Sequence, residues 1–246
     1  MAERCKISTY FAYTVALSGF IYPVVVHWVW DAEGWLTAFG DSPIFFGAGD
    51  SIGMIDFAGS GVVHMVGGFA GLVGAIALGP RIGRFNADGV LEIPGTSNIM
   101  MQSLGTFILW FGWIGFNAGS TLAVSGGSSA LAGKVATTTI IAASCGGIGG
   151  TAISVFTTSH FDMGLILNSI LAALVSITAS CAVVGVWQAA CIGFIGSIVY
   201  VLASKLLLIL HIDDPLDAWP VHGACGFWGV LSVGVFGTMK DAAFGG

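Results

Sequence analysis

The sequence predicts an all-α fold, a polytopic bundle of membrane-spanning helices organised as an inverted-topology repeat. Composition, the spacing of charges and an internal duplication carry that prediction. Of 246 residues only 8% are charged, 7 Lys and Arg against 13 Asp and Glu, where a soluble globular domain carries about 25%. Hydrophobic residues make up 56% and the mean hydropathy is +0.93. So few charges cannot cover the surface of a water-soluble domain of this size. A formal net charge of −6 without any Lys/Arg cluster excludes a nucleic-acid-binding surface. The five cysteines, Cys5, Cys145, Cys181, Cys191 and Cys225, show neither a CxxC nor a Cys/His ligand spacing, so neither a disulfide framework nor a zinc site is expected.

A bilayer core about 30 Å thick takes roughly 20 apolar residues at about 1.5 Å each. Seven runs fit this requirement, at about 8–29, 57–79, 98–120, 135–158, 163–184, 186–204 and 219–239, and every charged residue falls outside them. The stretch 163–204 is uncharged over 42 residues. As one helix it would be about 63 Å long, so it divides into two spans near Gly185. The first run follows Arg4 and Lys6 as the core of a secretory signal would. It continues for about 22 residues without a small-residue cleavage site, which predicts a retained span. The runs together form a single transmembrane domain over residues 1–246.

Lys and Arg set the orientation. With the N-terminus inside, the inner side receives Arg4, Lys6, Arg81, Arg84 and Lys205, and the outer side only Lys134 and Lys240. The first outer loop, about 30–56, carries Asp31, Glu33, Asp41, Asp50 and Asp56 and no basic residue. Five basic residues against two favour N-in, C-out. Glycines gather inside the spans, as in Gly67, Gly68, Gly71 and Gly74, or Gly146, Gly147, Gly149 and Gly150. Small residues there let helix backbones approach closely in lipid.

Two segments align without gaps at an offset of 158 residues: VHMVGGFAGLVGAIALG from Val63 and VHGACGFWGVLSVGVFG from Val221. His64/His222, Gly68/Gly226, Phe69/Phe227, Gly71/Gly229 and Gly79/Gly237 are identical, and an aspartate precedes each histidine by eight residues, Asp56 and Asp214. The copies lie five spans apart, an odd number, so they cross the membrane in opposite directions. An inverted repeat places its substrate site near the bilayer midplane. The end of the first repeat occupies about 1–79 and the second repeat about 98–239. An aspartate held near each surface as a helix N-cap puts its histidine about 12 Å further in, against a half-thickness of about 15 Å. Both imidazoles are therefore expected at mid-membrane, where ionisable groups mark pathways. His27, His160 and His211 fall near span ends or in loops and read as structural.

No carboxylate, lysine or arginine lies within a span, so a bare cation finds no permanent counter-charge there. A small polar neutral molecule is better served, because imidazole offers one donor and one acceptor and passes protons near neutral pH. A haem with two axial histidines is the competing use of the pair.

DFAGSGVVHMVGG at 56–68, WFGWIGFNAGS at 110–120, DDPLDAWPVHGACGFWG at 213–229 and YPVVVHWVWDAEGW at 22–35 resemble, in order and spacing, the signature blocks of the ammonium transporter (Amt/Mep/Rh) superfamily in its plant and algal form. The resemblance runs through essentially the whole chain. It implies an ammonium transporter, not an enzyme, without metal or cofactor. It also implies a homotrimer with one pore per subunit in the plasma membrane, carrying ammonium or ammonia with methylammonium as an analogue. By position, Trp30 resembles the aromatic wall of an outer ammonium site and Ser120 a hydroxyl acceptor there. Phe116 resembles one ring of a phenylalanine gate, Asp56 the aspartate that orients the outer site, and His64 and His222 the twin pore histidines. An indole face attracts a cation by about 0.5–2 kcal/mol. The family has eleven spans, so the resemblance implies that seven of eleven are present, with three expected before residue 8 and a long final helix after Gly246. An ammonium sensor without flux is the other function that this site would serve.

Overall fold

The computed structural model describes residues 4–38, 53–86, 89–90 and 98–238. Asp41, Asp50 and Lys240, which entered the charge count, lie outside them. Helices dominate. α1 (Ile7–Ala16) runs through a π-helical turn, Leu17–Ile21, into α2 (Tyr22–Trp30). A second π turn, Ser60–Met65, opens α3 (Val66–Leu78). α4 (Ile99–Gly119), α5 (Gly127–Thr158), α6 (Met163–Ile177) and α7 (Val186–Ile209) follow. A third π turn, Trp219–Ala224, leads into α8 (Cys225–Phe236). A two-residue ribbon pairs Phe85–Asn86 with Gly89–Val90.

Among the described residues five helical segments are long and apolar enough to cross a membrane: Ile7–Trp30, Ser60–Leu78, Ile99–Gly119, Gly127–Thr158 and Val186–Ile209. The seventh expected run, 219–239, is helical over 219–236. The expected span at 163–184 is corrected. Its helix stops at Ile177, and residues 178–184 continue as buried turns up to Gly185, which N-caps α7. The Thr178 hydroxyl back-bonds to the Leu174 carbonyl at 2.7 Å, a competition with the helix ladder that Ser and Thr commonly enter. The freed backbone is then claimed from outside the helix. Phe57 N–H donates to the Ala179 carbonyl at 3.0 Å and Ala58 N–H to that of Thr178 at 3.1 Å. The Ser60 hydroxyl accepts from Ala179 N–H and donates to the Val175 carbonyl, both at 2.7 Å. Irregular backbone at membrane depth survives only when protein satisfies it in this way.

Two boundaries also move. α5 starts at Gly127 rather than near 135, and α7 runs on to Ile209, so Lys134 and Lys205 lie inside helices, within a few turns of their ends. Asn98 and Asp162 cap α4 and α6 by accepting the N–H groups of Met101 and Leu165, each at 3.1 Å, the role these side chains fill best. α5, α6 and α7 pack on one another around a core that includes Leu167, Leu174, Val175 and Ile192, whereas α1 buries none of its residues.

The two repeat segments cross antiparallel. The π turn of each packs on the helix of the other, Ser60–Met65 on α8 and Trp219–Ala224 on α3. Their shared glycines make this possible. A Cβ on Gly68 would lie 2.2 Å from the Gly223 backbone nitrogen, and one on Gly226 would lie 2.5 Å from the Ser60 carbonyl oxygen.

On one side of the bundle, Arg4, Arg81 and Arg84 converge on Asp213, three of the residues that the charge count assigns to a common side. Arg81 holds the carboxylate with its backbone N–H at 2.8 Å and a two-pronged guanidinium contact at 2.8 and 2.9 Å. Arg84 stands 3.6 Å and Arg4 3.9 Å from it, and Arg4 also reaches the Gly79 carbonyl. Burial pushes the Asp213 carboxyl up, but the Arg81 hydrogen bonds and the charges of Arg81 and Arg4 outweigh it and hold the group below its ordinary value.

Two outcomes follow from this packing. Gly68→Ala is expected to destabilise the fold by about 1–3 kcal/mol, because a rigid backbone atom must give way. Gly67→Ala, with no atom within 4 Å of the new methyl, should be neutral or stabilising by up to about 1 kcal/mol. Thermal unfolding in detergent separates the two. For Asp213, a lowered native pKa means that its stabilisation is complete above about pH 4 and is lost as pH falls through the lowered value. The gap in melting temperature between wild type and Asp213→Asn should therefore be constant from pH 7 to about pH 5 and close only on further acidification.

Candidate functional site

The crossing brings His64 and His222 together. Their Nδ1 atoms lie 3.3 Å apart, and the rings are nearly parallel, 20° between planes and 5.3 Å between centroids. Both sit in π turns, one from each antiparallel segment, a local geometry frequent at functional positions. His64 Nε2 is buried and has no hydrogen-bond partner among the described residues. A contact between two Nδ1 atoms requires one hydrogen between them. The ring that donates it has a bare Nε2, and the ring that accepts it carries an Nε2–H. The pair thus presents one acceptor and one donor at its two ends, and exchanging them takes a proton gained at the bare Nε2, the shared hydrogen moved across and a proton lost from the other Nε2.

Each histidine-bearing turn hangs from an aspartate. The Asp56 carboxylate, 2% exposed, accepts the backbone N–H groups of Gly59 at 3.1 Å and of Gly61 and Val62 at 2.8 Å. Asp214 accepts Trp219 N–H at 2.8 Å, the bond that the 158-residue offset maps onto Asp56 and Gly61. Gly59, at φ +103°, turns the chain between Asp56 and its amides in a conformation open to glycine. Both carboxylate oxygens of Asp56 are thus bound to backbone amides.

Trp30 meets Asp56 directly: its indole N–H donates to the Asp56 carbonyl at 2.7 Å. Phe116, 42% exposed, places its ring 5.6 Å from that of His64. Ser120 sits at the C-terminal end of α4, where its hydroxyl donates to the Phe116 carbonyl at 2.9 Å. That leaves its lone pairs for an incoming N–H donor. Among the described residues the Ser120 hydroxyl bonds to the Phe116 carbonyl and not to Trp30 or Asp56. The sequence reading missed Trp113, whose ring stacks on His64 at 4.8 Å and 14°. Its indole N–H is fixed by the Thr178 hydroxyl at 2.9 Å, which ties the broken segment after α6 to the histidine pair. Trp113 lies three residues before Phe116, and that one-turn spacing was the available signal.

The chain matches the profile of the Ammonium Transporter Family over residues 1–245. It is 41% identical over 98% of its length to ammonium transporter 1 member 3 of Oryza sativa subsp. japonica, covering 49% of that protein. It is 42% identical over 97% of its length to a putative ammonium transporter of Synechocystis, covering 51% of it. Among solved structures it superposes on one titled Sensor Amt Protein with a TM-score of 0.82 and 36% identity, covering 97% of this chain and 56% of that one. For Mep2 of Candida albicans the values are 0.83 and 28%, covering 98% and 49%. The chain spans about half the length of the curated relatives it matches. Matched along nearly its whole length by profile, sequence and helix arrangement, the chain belongs to the ammonium transporter family.

Proposed function

We propose that the complete protein conducts ammonium across a membrane, taking up NH4+ at an aromatic site and passing it as ammonia along the histidine pair. The 3.3 Å contact between His64 and His222 is the observation that carries this reading. In it, NH4+ is captured near Trp30 and Ser120, under the field of the Asp56 carboxylate, and loses a proton at the Phe116 ring. NH3 then passes His64 and His222. The shared Nδ1 hydrogen supports a relay for the released proton. A proton arriving at the bare Nε2 of one ring moves the Nδ1 hydrogen across to the other ring, whose Nε2–H then leaves. Charge crosses while ammonia remains neutral. A homotrimer in the plasma membrane is part of the same proposal, with methylammonium as a carried analogue.

Haem ligation is disfavoured. Two axial imidazoles stand about 4 Å apart at metal–nitrogen bonds of about 2 Å, with a macrocycle between them, and 3.3 Å leaves no room for it. Sensing is a second reading, favoured by the 36% identity to the structure titled as a sensor. It keeps the ammonium site but predicts binding without current in proteoliposomes.

His64→Ala in the full-length protein is expected to lower methylammonium uptake at least tenfold while leaving assembly on size-exclusion chromatography unchanged. Uptake equal to wild type would remove the histidine pair from the mechanism.

A further inference from the structure

Three indoles near the pathway use their N–H groups on protein oxygens: Trp30 on the Asp56 carbonyl, Trp113 on the Thr178 hydroxyl and Trp228 on the Ile192 carbonyl. Trp219 does not. Its Nε1–H is buried and has no acceptor among the described residues. A buried indole normally finds a partner, and leaving such a donor unmet costs about 1–3 kcal/mol.

The position of this donor is defined on every side. Trp219 opens the π turn that carries His222 three residues later, and its backbone N–H is anchored by Asp214. The ring lies over Gly223, where a Cβ would be 2.4 Å from the indole Cδ1 and 2.7 Å from Nε1. It meets Phe69 of α3 edge to face at 6.1 Å and 87°. Gly223 is also the residue on which Gly68 rests. The indole is therefore wedged where the two histidine-bearing segments cross, about one turn from His222 on its Asp214 side.

We propose that Trp219 Nε1–H donates a hydrogen bond to the lone pair of ammonia after it passes His222, and so sets specificity for the neutral species. The proposal rests on the transport reading above. Its chemistry is selective because an indole nitrogen donates and never accepts. Ammonia has a lone pair to receive that hydrogen, whereas NH4+ has four N–H groups and none. The imidazole pair, with a donor at one end and an acceptor at the other, does not discriminate in this way. The contact thus disfavours re-entry of the cation from the Asp214 side while holding the neutral molecule.

The test uses Trp219→Phe, which keeps an aromatic ring and removes only the donor, in the full chain reconstituted in lipid. Loss of one hydrogen bond should reduce ammonium-driven current about 3- to 10-fold with assembly unchanged. In wild-type protein labelled with 15N-tryptophan, the Trp219 indole N–H resonance, assigned by its absence from the variant, should move downfield on adding ammonium chloride at pH 8.5. Potassium chloride at equal ionic strength should leave it in place. An unmoved resonance, or one that responds equally to both salts, overturns the proposal, as does wild-type current in Trp219→Phe. Should Trp219→Phe fail to fold, Trp219→Tyr, which also lacks the indole, supplies the assignment and the wild-type resonance decides. If wild type carries no current at all, the transport reading itself falls. If it carries current while the resonance ignores ammonia, only the role of Trp219 falls.

Discussion

The closeness of two backbones governs this structure. Where Gly68 meets Gly223 and Gly226 meets Ser60, nothing larger than a hydrogen atom fits between the antiparallel segments. In lipid no hydrophobic effect presses helices together, so such contacts must supply close packing themselves. One added methyl at the crossing would push the segments apart, and the imidazoles with them. Their 3.3 Å separation is thus a consequence of glycine placement four residues along from each histidine.

Irregular backbone is the second constraint. Each histidine sits in a π turn, and the C-terminal end of α6 gives way to buried turns. The unpaired amides and carbonyls are met by a small set of side chains. Asp56 takes three N–H groups, Ser60 closes one donor and one acceptor of the broken segment, and Thr178 links that segment to Trp113. Asp56, Ser60, Thr178 and Trp113 form one support for His64. Replacing any of them would reach His64 through this support.

Much of this could be read from residues alone, because it depends on spacing. The duplicated Asp-x7-His with its following glycines identifies the pair and the antiparallel crossing, and apolar runs locate the helices, with the start of α5 and the end of α6 displaced most. Arg4, Arg81 and Arg84 fall on one side by charge counting, and the structure gathers them on Asp213. The break after Ile177 was not legible, since TASCAVVG is as apolar as a helix interior. Beside the Thr178 back-bond, competing bonds from Phe57, Ala58 and Ser60, more than a hundred residues earlier, end the helix there. Trp113 was passed over for a related reason. An aromatic on an apolar face usually packs, and its stacking on His64 depends on a tertiary approach that the local sequence does not encode.

The charge distribution differs between the two ends of the bundle. At the Trp30 end, Asp31, Glu33 and Asp56 stand close in sequence or contact to the indole, a concentration of negative potential that draws cations. At the other end three guanidinium groups surround Asp213, offsetting the acidic run of Asp213, Asp214 and Asp217. A cation is thus favoured at one mouth and finds no comparable excess of negative charge at the other. Between them lie two imidazoles whose ring nitrogens, among the described residues, hydrogen-bond to each other. A permanent positive charge is poorly solvated there, while a neutral molecule with both donors and an acceptor can be matched. In the proposed mechanism, dropping the proton before the midplane and regaining it beyond fits this distribution of charge.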